Sequence, residues 1–278
     1  MTKKRLVIIG ANSFIAKSVV AKFKNENFSI IKITRKKCDL IKKNSIRILS
    51  KVYKKNDIVF FAAAEAPVKN LRMFYNNLLM CKNVIESLKN KKLKLLIYLS
   101  SDAVYADSSK KLDEKSKTDP DNLHGLMHLC RESMLKKEFK NCLTIIRPTL
   151  VYGKNDPHNG YGPNKFSRLL KLNKKIKLFG KGEERRDHIS IHDISNIIKK
   201  IITKNKKGIF NLATGKVISF MSIAKHLTNI HKKSNNIIFL KRNSPMPHNG
   251  YRAFNIKKIK NNGLIKKPKL ISDIKNLF

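Results

Sequence analysis

His124, His128 and Glu132 recur at four-residue steps in NLHGLMHLCRE (122–132), a spacing that puts all three on one face of a helix. Three readings fit that strip. An imidazole with an unperturbed pKa of about 6.5 exchanges protons near neutrality without a cationic helper, so His124 can serve as general acid or base. Two imidazoles and a carboxylate one turn apart can also ligate a metal ion, although no acidic cluster nearby reinforces such a set. The plainest alternative is surface histidines on an amphipathic helix. Upstream, LLIYLSSDAVYAD (95–107) sets Ser101 and Asp102 directly after an apolar run, where a hydroxyl and a carboxylate can end a strand and cap the next turn.

The second concentration of chemistry is VIIGANSFIA (7–16), with Gly10 straight after an apolar run and a helix opening at Ser13 or Phe14. In a dinucleotide fold this geometry aims backbone amides, here those of Asn12, Ser13, Phe14 and Ile15, and the positive helix end at a pyrophosphate. The full fingerprint asks for three glycines. Ser13 and Ala16 stand in the second and third places, so an ordinary strand-turn-helix stays open as the alternative. After the next strand, ITRKKCDL (33–40) lacks the acidic residue that reads a ribose hydroxyl and offers Arg35 and Lys36 instead. Cations there favour a 2′-phosphate, which tilts the choice between NAD and NADP toward NADP.

These residues need elements to hold them. Strand-like runs occur at Leu6–Ile9, Ser29–Thr34, Ile58–Ala62, Lys94–Ser100 and Leu143–Arg147, with helical periodicity over 14–25, 70–90 and 123–140. The alternation predicts an α/β fold, a Rossmann-type doubly wound parallel sheet with right-handed crossovers. After Pro148 the texture changes: GKNDPHNGYGPN (153–164) is turn-rich and GKGEERRDH (180–188) is charged, as cleft loops are. A strand at Ile209–Ala213 and a helix from Ser219 to Ile230 follow. We therefore expect a dinucleotide domain over 1–152 plus about 187–214, and a smaller C-terminal substrate lobe over 153–186 and 215–278.

Size and charge bound the class. A chain of 278 residues with 41% hydrophobic residues and 11 glycines suits a folded enzyme or binding domain, not a disordered or fibrous chain. The formal charge of +42 raises a polyanion partner. The lysines are spread through nearly every segment, beside abundant Ile and Asn, and form no basic arm, so nucleic acid is not the expected partner. Cys38, Cys81, Cys130 and Cys142 form no CxxC pair and point to reduced thiols in the cytoplasm. The opening MTKKRLVIIGAN has the outline of a signal peptide, but its apolar run is short and reads as a first strand. No apolar stretch is long enough to span a bilayer.

In order and spacing, GANSFIA, CDL (38–40), FFAAA (60–64), Asn77, SSDAVY (100–105), IIRPTLVYG (145–153), RRDHISIHDI (185–194) and FNLATG (210–215) resemble the extended short-chain dehydrogenase/reductases. The resemblance is to the NAD-dependent epimerase/dehydratase group that modifies nucleotide-linked sugars, and it covers nearly the whole chain. It implies Asp39 and Leu40 near the adenine, Ala62, Ala63 and Pro148 along the cofactor, and Asn77 behind it. Ser101 matches the family's catalytic hydroxyl, and Asp102 an acid that some dehydratases use on a leaving hydroxyl. Arg186, in the family's Arg-Asp pair before a strand, would hold the substrate diphosphate through its bidentate fork; the alternative is a surface ion pair with Glu183 or Glu184.

The departure is at the helix. Where the family carries a Tyr and, four residues on, a Lys that lowers the phenol's pKa and holds the nicotinamide ribose, this chain has His124 and His128. Leu150 stands where epimerases often carry an Asn that contacts substrate. In the polar loops, His158, Lys165 and Arg252 are candidate anion contacts, with plain Gly/Asn turns as the alternative. The expected protein is an NAD(P)-dependent epimerase, dehydratase or reductase of a nucleotide-activated sugar bound between the lobes, with a His-based pair. A non-catalytic, regulatory or scaffolding NAD(P)-binding protein is the alternative. The family helix already explains the His spacing, so no metal is expected, and the resemblance leaves a homodimer open.

Overall fold

The computed structural model describes residues 3–233 and 236–270. The chain begins β1 (Lys4–Ile9), α1 (Phe14–Lys22), β2 (Phe28–Ile33), α2 (Ser45–Val52), β3 (Ile58–Phe61), α3 (Leu71–Leu88), β4 (Leu95–Leu99), α4 (Leu123–Phe139) and β5 (Leu143–Pro148). It continues through β6 (Leu150–Tyr152), α5 (Pro163–Lys171), β7 (Ile176–Phe179), β8 (Arg185–Ser190), α6 (Ile191–Thr203) and β9 (Gly208–Leu212). Last come β10 (Val217–Ser219), α7 (Phe220–Ile230), β11 (Ile237–Leu240), β12 (Tyr251–Arg252) and α8 (Lys257–Asn261). No helix among the described residues is long and apolar enough to cross a membrane.

Two compact units share this chain. The first comprises the residues up to Ala106, Ser116–Pro148 and Ser195–Phe210. Its six-stranded sheet has the order β2-β1-β3-β4-β5-β9, and the pairings among β1 to β5 are parallel. Central strands covered on both faces must be apolar throughout, and β3 (IVFF) is buried at all four positions. On one face Val7, Ile9, Val59, Phe61, Leu96 and Ile145 pack with residues of α2, α3 and α4. The alternate residues Leu6, Ile8, Ile58, Phe60 and Ile97 are equally buried. The chain leaves β1 toward β2, then returns to add β3 on the other side of β1. That reversal makes a crevice at the carboxyl ends of β1 and β3, where open α/β sheets take ligands.

The second unit comprises Asp107–Lys115, Thr149–Ile194 and the chain from Asn211. Strand β8 is its axis, pairing with β6, β10 and β12, while β11 pairs with β7. Tyr152, Phe166, Leu170, Leu178, Phe220 and Leu227 build its core. The borders differ from those expected. The first unit breaks at Pro148, not 152, and residues 187–194 and 211–214 fall in the second unit, where β8 pairs with that unit's strands. Residues 107–115 join it too: Leu112 bridges Phe254 and exchanges hydrogen bonds with Ala253 and Asn255.

Candidate active site

The glycine turn follows directly from the sequence. Gly10 has φ +82°, and a Cβ there would lie 2.6 Å from both the Cα and N of Ala63, so only glycine allows β1 and the end of β3 to approach this closely. The amides of Gly10 and Ala11 both go to the Ile33 carbonyl, and that of Ser13 to the Gly10 carbonyl. Among the described residues no bond is made by the amides of Asn12, Phe14 or Ile15, which are the donors left for an anion at the positive end of α1. The second glycine of the fingerprint is dispensable because Ser13 is extended (φ −65°, ψ 154°) and its hydroxyl caps the Ala16 amide. Ala16 is fully buried, filling the third place.

Around this turn the strip is braced from within. Asn77 is buried and its amide is spent: Oδ1 accepts from Glu65 N (3.0 Å), and Nδ2 donates to the carbonyls of Glu65 (3.0 Å) and Met73 (2.8 Å). It shapes the loop after β3, with both Nδ2 protons used inside the protein. Ala62 is buried beside that loop, and Pro148 closes β5. Leu40 is buried, its carbonyl held by Asn83 Nδ2 at 2.8 Å. Arg35 is exposed and stands 3.9 Å from the carboxylates of both Asp39 and Glu65. Glu65 was invisible in the sequence as a partner for Arg35.

The strip that carries Ser101, Asp102, His124 and His128 is positioned by a contact that the sequence reading missed. A Cβ on Gly125 would fall 2.1 Å from the Ala103 carbonyl oxygen and 2.6 Å from Pro120 Cβ. The absent side chain therefore lets the first turn of α4 close on the 3-10 turn Asp102–Val104. Asn122 caps α4 by accepting from Gly125 N at 2.9 Å, and Ser101 caps the 3-10 turn by accepting from Ala103 N at 3.1 Å. The Ser101 hydroxyl also faces Asp102 Oδ1 at 3.5 Å. His124 Nδ1 meets the Val68 amide at 3.5 Å, and its ring stands edge-on to His128, centroids 4.8 Å apart.

His128 is buried, with Nδ1 2.7 Å from the Tyr98 hydroxyl. Its pKa is pushed well below 6.5, first by burial and then by His124 and the Arg131 cation, so it is a neutral imidazole and not a substitute ammonium. Arg131 is fully buried and donates to the carbonyls of Asn77 (2.9 Å) and Ala63 (3.0 Å), with its guanidinium 4.8 Å from the centre of the Phe61 ring. Glu132 turns away from the histidines. Its carboxylate accepts from Arg147 Nε (2.8 Å) and Nη2 (2.6 Å), Ser100 Oγ (2.7 Å) and Lys136 Nζ (3.3 Å). The His-His-Glu metal reading therefore loses its third ligand. The cue was an Arg inside the apolar strand IIRP, a charge that needs a buried partner.

In the second unit, β8 and β12 run parallel with Arg186 opposite Arg252, so the two guanidiniums start from one face of the sheet. Arg186 is buried within β8, not ahead of it, and pairs with Glu184 while donating to the Pro247 carbonyl at 2.8 Å. The ion pair with Glu184 exists, but not as a surface contact. Arg252 bonds Asp107 (3.2 Å) and His248 (3.0 Å), and His248 also bonds Asp107. Lys165 lies apart on α5, lining a pocket of about 330 Å³ with Pro157, Asn159, Arg168, Leu169 and Leu172. The carbonyl of His158 accepts from Arg168 at 2.7 Å, and Leu150 is exposed on β6.

A parallel sheet with a tight glycine turn at its reversal and a Ser-Asp turn against the His-bearing helix defines an extended short-chain dehydrogenase/reductase. The sequence model of the NAD dependent epimerase/dehydratase family matches residues 6–213, and the chain belongs to that family. The dTDP-D-glucose 4,6-dehydratase of Dictyostelium discoideum is 30% identical over 206 residues, 66% of this chain and 47% of that protein. The ADP-L-glycero-D-manno-heptose-6-epimerase of Brachyspira hyodysenteriae is 31% identical over 174 residues, 58% of this chain and 54% of that protein. The chain thus spans about half the length of these curated relatives. The fold matches UDP-glucose 4-epimerase of Thermus thermophilus, solved with NAD, at a TM-score of 0.83 and 18% identity, covering 98% of this chain and 97% of that one.

Proposed function

We propose that the chain binds NAD in its first unit and converts a nucleotide-activated sugar by hydride transfer, with His124 exchanging the proton. The observation that carries this reading is the Gly125 contact with the Ala103 carbonyl, which draws the start of α4, and His124 with it, to the Ser101–Asp102 turn. The open amides of Asn12, Phe14 and Ile15 hold the cofactor diphosphate at the helix end. Bound nicotinamide supplies the hydride acceptor or donor. His124 takes or returns the sugar hydroxyl proton, and Ser101 Oγ donates to the same oxygen. Asp102 delivers a proton where a hydroxyl leaves. In the second unit Arg186 and Arg252 start from one sheet face and suit a substrate diphosphate.

Sequence alone tilted the cofactor toward NADP. Arg35 stands 3.9 Å from the carboxylates of Asp39 and Glu65, which offset the charge it would offer a 2′-phosphate, and this favours NAD. The relatives named as a dehydratase and an epimerase, and the NAD complex of the Thermus enzyme, support the same reading. Free thiols at all four cysteines suit the cytoplasm. Leu71, Tyr75 and Leu79 of α3 are exposed at four-residue steps, as is Leu126 of α4; this stripe fits a second copy of the chain.

The test is calorimetry with NAD and NADP, followed by nicotinamide absorbance and product analysis against dTDP-, UDP- and ADP-linked sugars. His124→Ala is expected to abolish turnover and to leave cofactor affinity within about threefold of wild type; retained turnover removes His124 from the mechanism. A second reading draws on His128, whose neutrality leaves the helix without the family's cation. That reading is a binding-only protein of regulatory or scaffolding role. It requires cofactor uptake without turnover across the whole sugar panel, and one active substrate eliminates it.

A further inference from the structure

We propose that Tyr98 is a positioning residue of the site: its hydroxyl fixes His128 in the tautomer with the proton on Nε2, making His128 a neutral donor for a sugar hydroxyl. The inference rests on the function proposed above for the same site, and adds a residue from β4 that no family motif marks.

Hydrogen-bond accounting gives the direction. Tyr98 and His128 are both buried, with Tyr98 Oη 2.7 Å from His128 Nδ1; the Arg131 side chain also bonds the phenol and can only donate to it, so His128 Nδ1 is the acceptor on hand for the phenol proton. Two arrangements are available to neutral partners. If His128 Nδ1–H donated, the buried phenol proton would have no acceptor. If Tyr98 O–H donates, both Tyr98 and Nδ1 are satisfied, and only the Nε2–H is left open. Unmade buried hydrogen bonds are costly, so the second arrangement prevails.

The neighbours hold both groups neutral. Burial pushes the Tyr98 phenol up, so it keeps its proton, although Arg131 opposes the shift. An imidazolium at 128 is opposed by burial, by His124 and by Arg131 of its own helix, while Cys81 of α3 and Glu132 lie near the phenol. The guanidinium of Arg131, 5.8 Å from the Tyr98 ring centre, donates to the carbonyls of Asn77 and Ala63 and meets no carboxylate among those bonds. A fixed cation in that place disfavours a second one one turn away. What remains is a rigid, uncharged N–H on the His-bearing face of α4, whose complement is a hydroxyl oxygen. Both the cofactor ribose and the substrate sugar carry such an oxygen.

The test is long-range ¹H–¹⁵N correlation on the full chain with labelled histidine, from pH 5.5 to 8.5, assigned with His128→Gln. The expected result is one non-titrating signal with the Nε2–H pattern, and Tyr98→Phe is expected to mix the tautomers. An Nδ1–H pattern, an imidazolium, or an unchanged tautomer in Tyr98→Phe overturns the proposal. The spectrum of the unmodified chain decides this even if Tyr98→Phe fails to fold. In calorimetry, His128→Leu should lose about tenfold in affinity for the ligand it contacts, one charge-free hydrogen bond, and His128→Gln should recover most of it. A loss with NAD assigns the ribose, and a loss with the sugar nucleotide alone assigns the substrate; no loss with either overturns the donor role. If NAD does not bind at all, the function proposed above fails, while the tautomer still stands or falls on its own signal.

Discussion

Gly125→Ala is the sharpest probe of how the site is assembled. The new methyl carbon would sit 2.1 Å from the Ala103 carbonyl oxygen, 2.6 Å from Pro120 Cβ and 2.9 Å from the Ala103 carbonyl carbon. An ordinary contact needs about 3.4 Å, so α4 and the Ser101–Asp102 turn must part by roughly 1 Å, and the obstacle is backbone that cannot rotate away. Overpacking of this kind costs about 1–3 kcal/mol, against which alanine returns about 1 kcal/mol of helix propensity. Stability should therefore fall by up to about 2 kcal/mol, while turnover falls far more, since a 1 Å misplacement costs about 10²-fold. Gly160→Ala is the control, because a Cβ there meets nothing within 4 Å, and it should leave stability within about 0.5 kcal/mol. Urea unfolding and steady-state turnover read both effects. A Gly125→Ala protein that is more stable than wild type and fully active would show that helix and turn are not in contact, and the site as described would be wrong.

Glu132→Leu strands the buried Arg147 and should cost about 3–5 kcal/mol in urea unfolding; a loss below about 1 kcal/mol would mean the pair is solvated. Ser13→Ala removes the cap on Ala16 N and should cost about 1 kcal/mol, whereas Ser13→Gly, which restores the glycine fingerprint, should cost only a few tenths. His188 of β8 is buried and its pKa is pushed down to about 4, chiefly by desolvation, with the Arg186 carbonyl opposing and its guanidinium adding. The folded state holds this histidine neutral while the unfolded chain protonates it near 6.5, so its contribution is present above pH 6.5 and is lost as pH falls toward 4. The stability difference between wild type and His188→Leu should shift by about 3 kcal/mol between pH 7 and pH 4; parallel pH profiles for the two proteins would refute the burial. Tyr75→Lys should give a monomer at concentrations where wild type sediments as a dimer; a wild type that is monomeric removes the proposed pairing.

What could be read from the residues in order was whatever depends on neighbours along the chain. Apolar runs such as IVFF announce buried strands because a strand covered on both faces has no place for polar side chains. Gly10 announces a tight turn because of the φ it must adopt, and His124 and His128 announce one helix face because the period of the helix is fixed. Short elements such as β6 (LVY), β10 (VIS) and α2 (SIRILSKV) were not legible: three residues are too few to show a strand period, and eight give only about two helical turns. Folding then decided which distant residues meet. Glu132 reads as a third ligand beside the histidines until Arg147, fifteen positions on, claims its carboxylate. Arg186 and Arg252 come into register only through the pairing of β8 with β12. Tyr98 reaches His128 across thirty residues, and burial then settles whether that imidazole carries a charge. Local spacing constrains direction on one element, whereas contact, burial and protonation depend on what the rest of the chain brings to the other side.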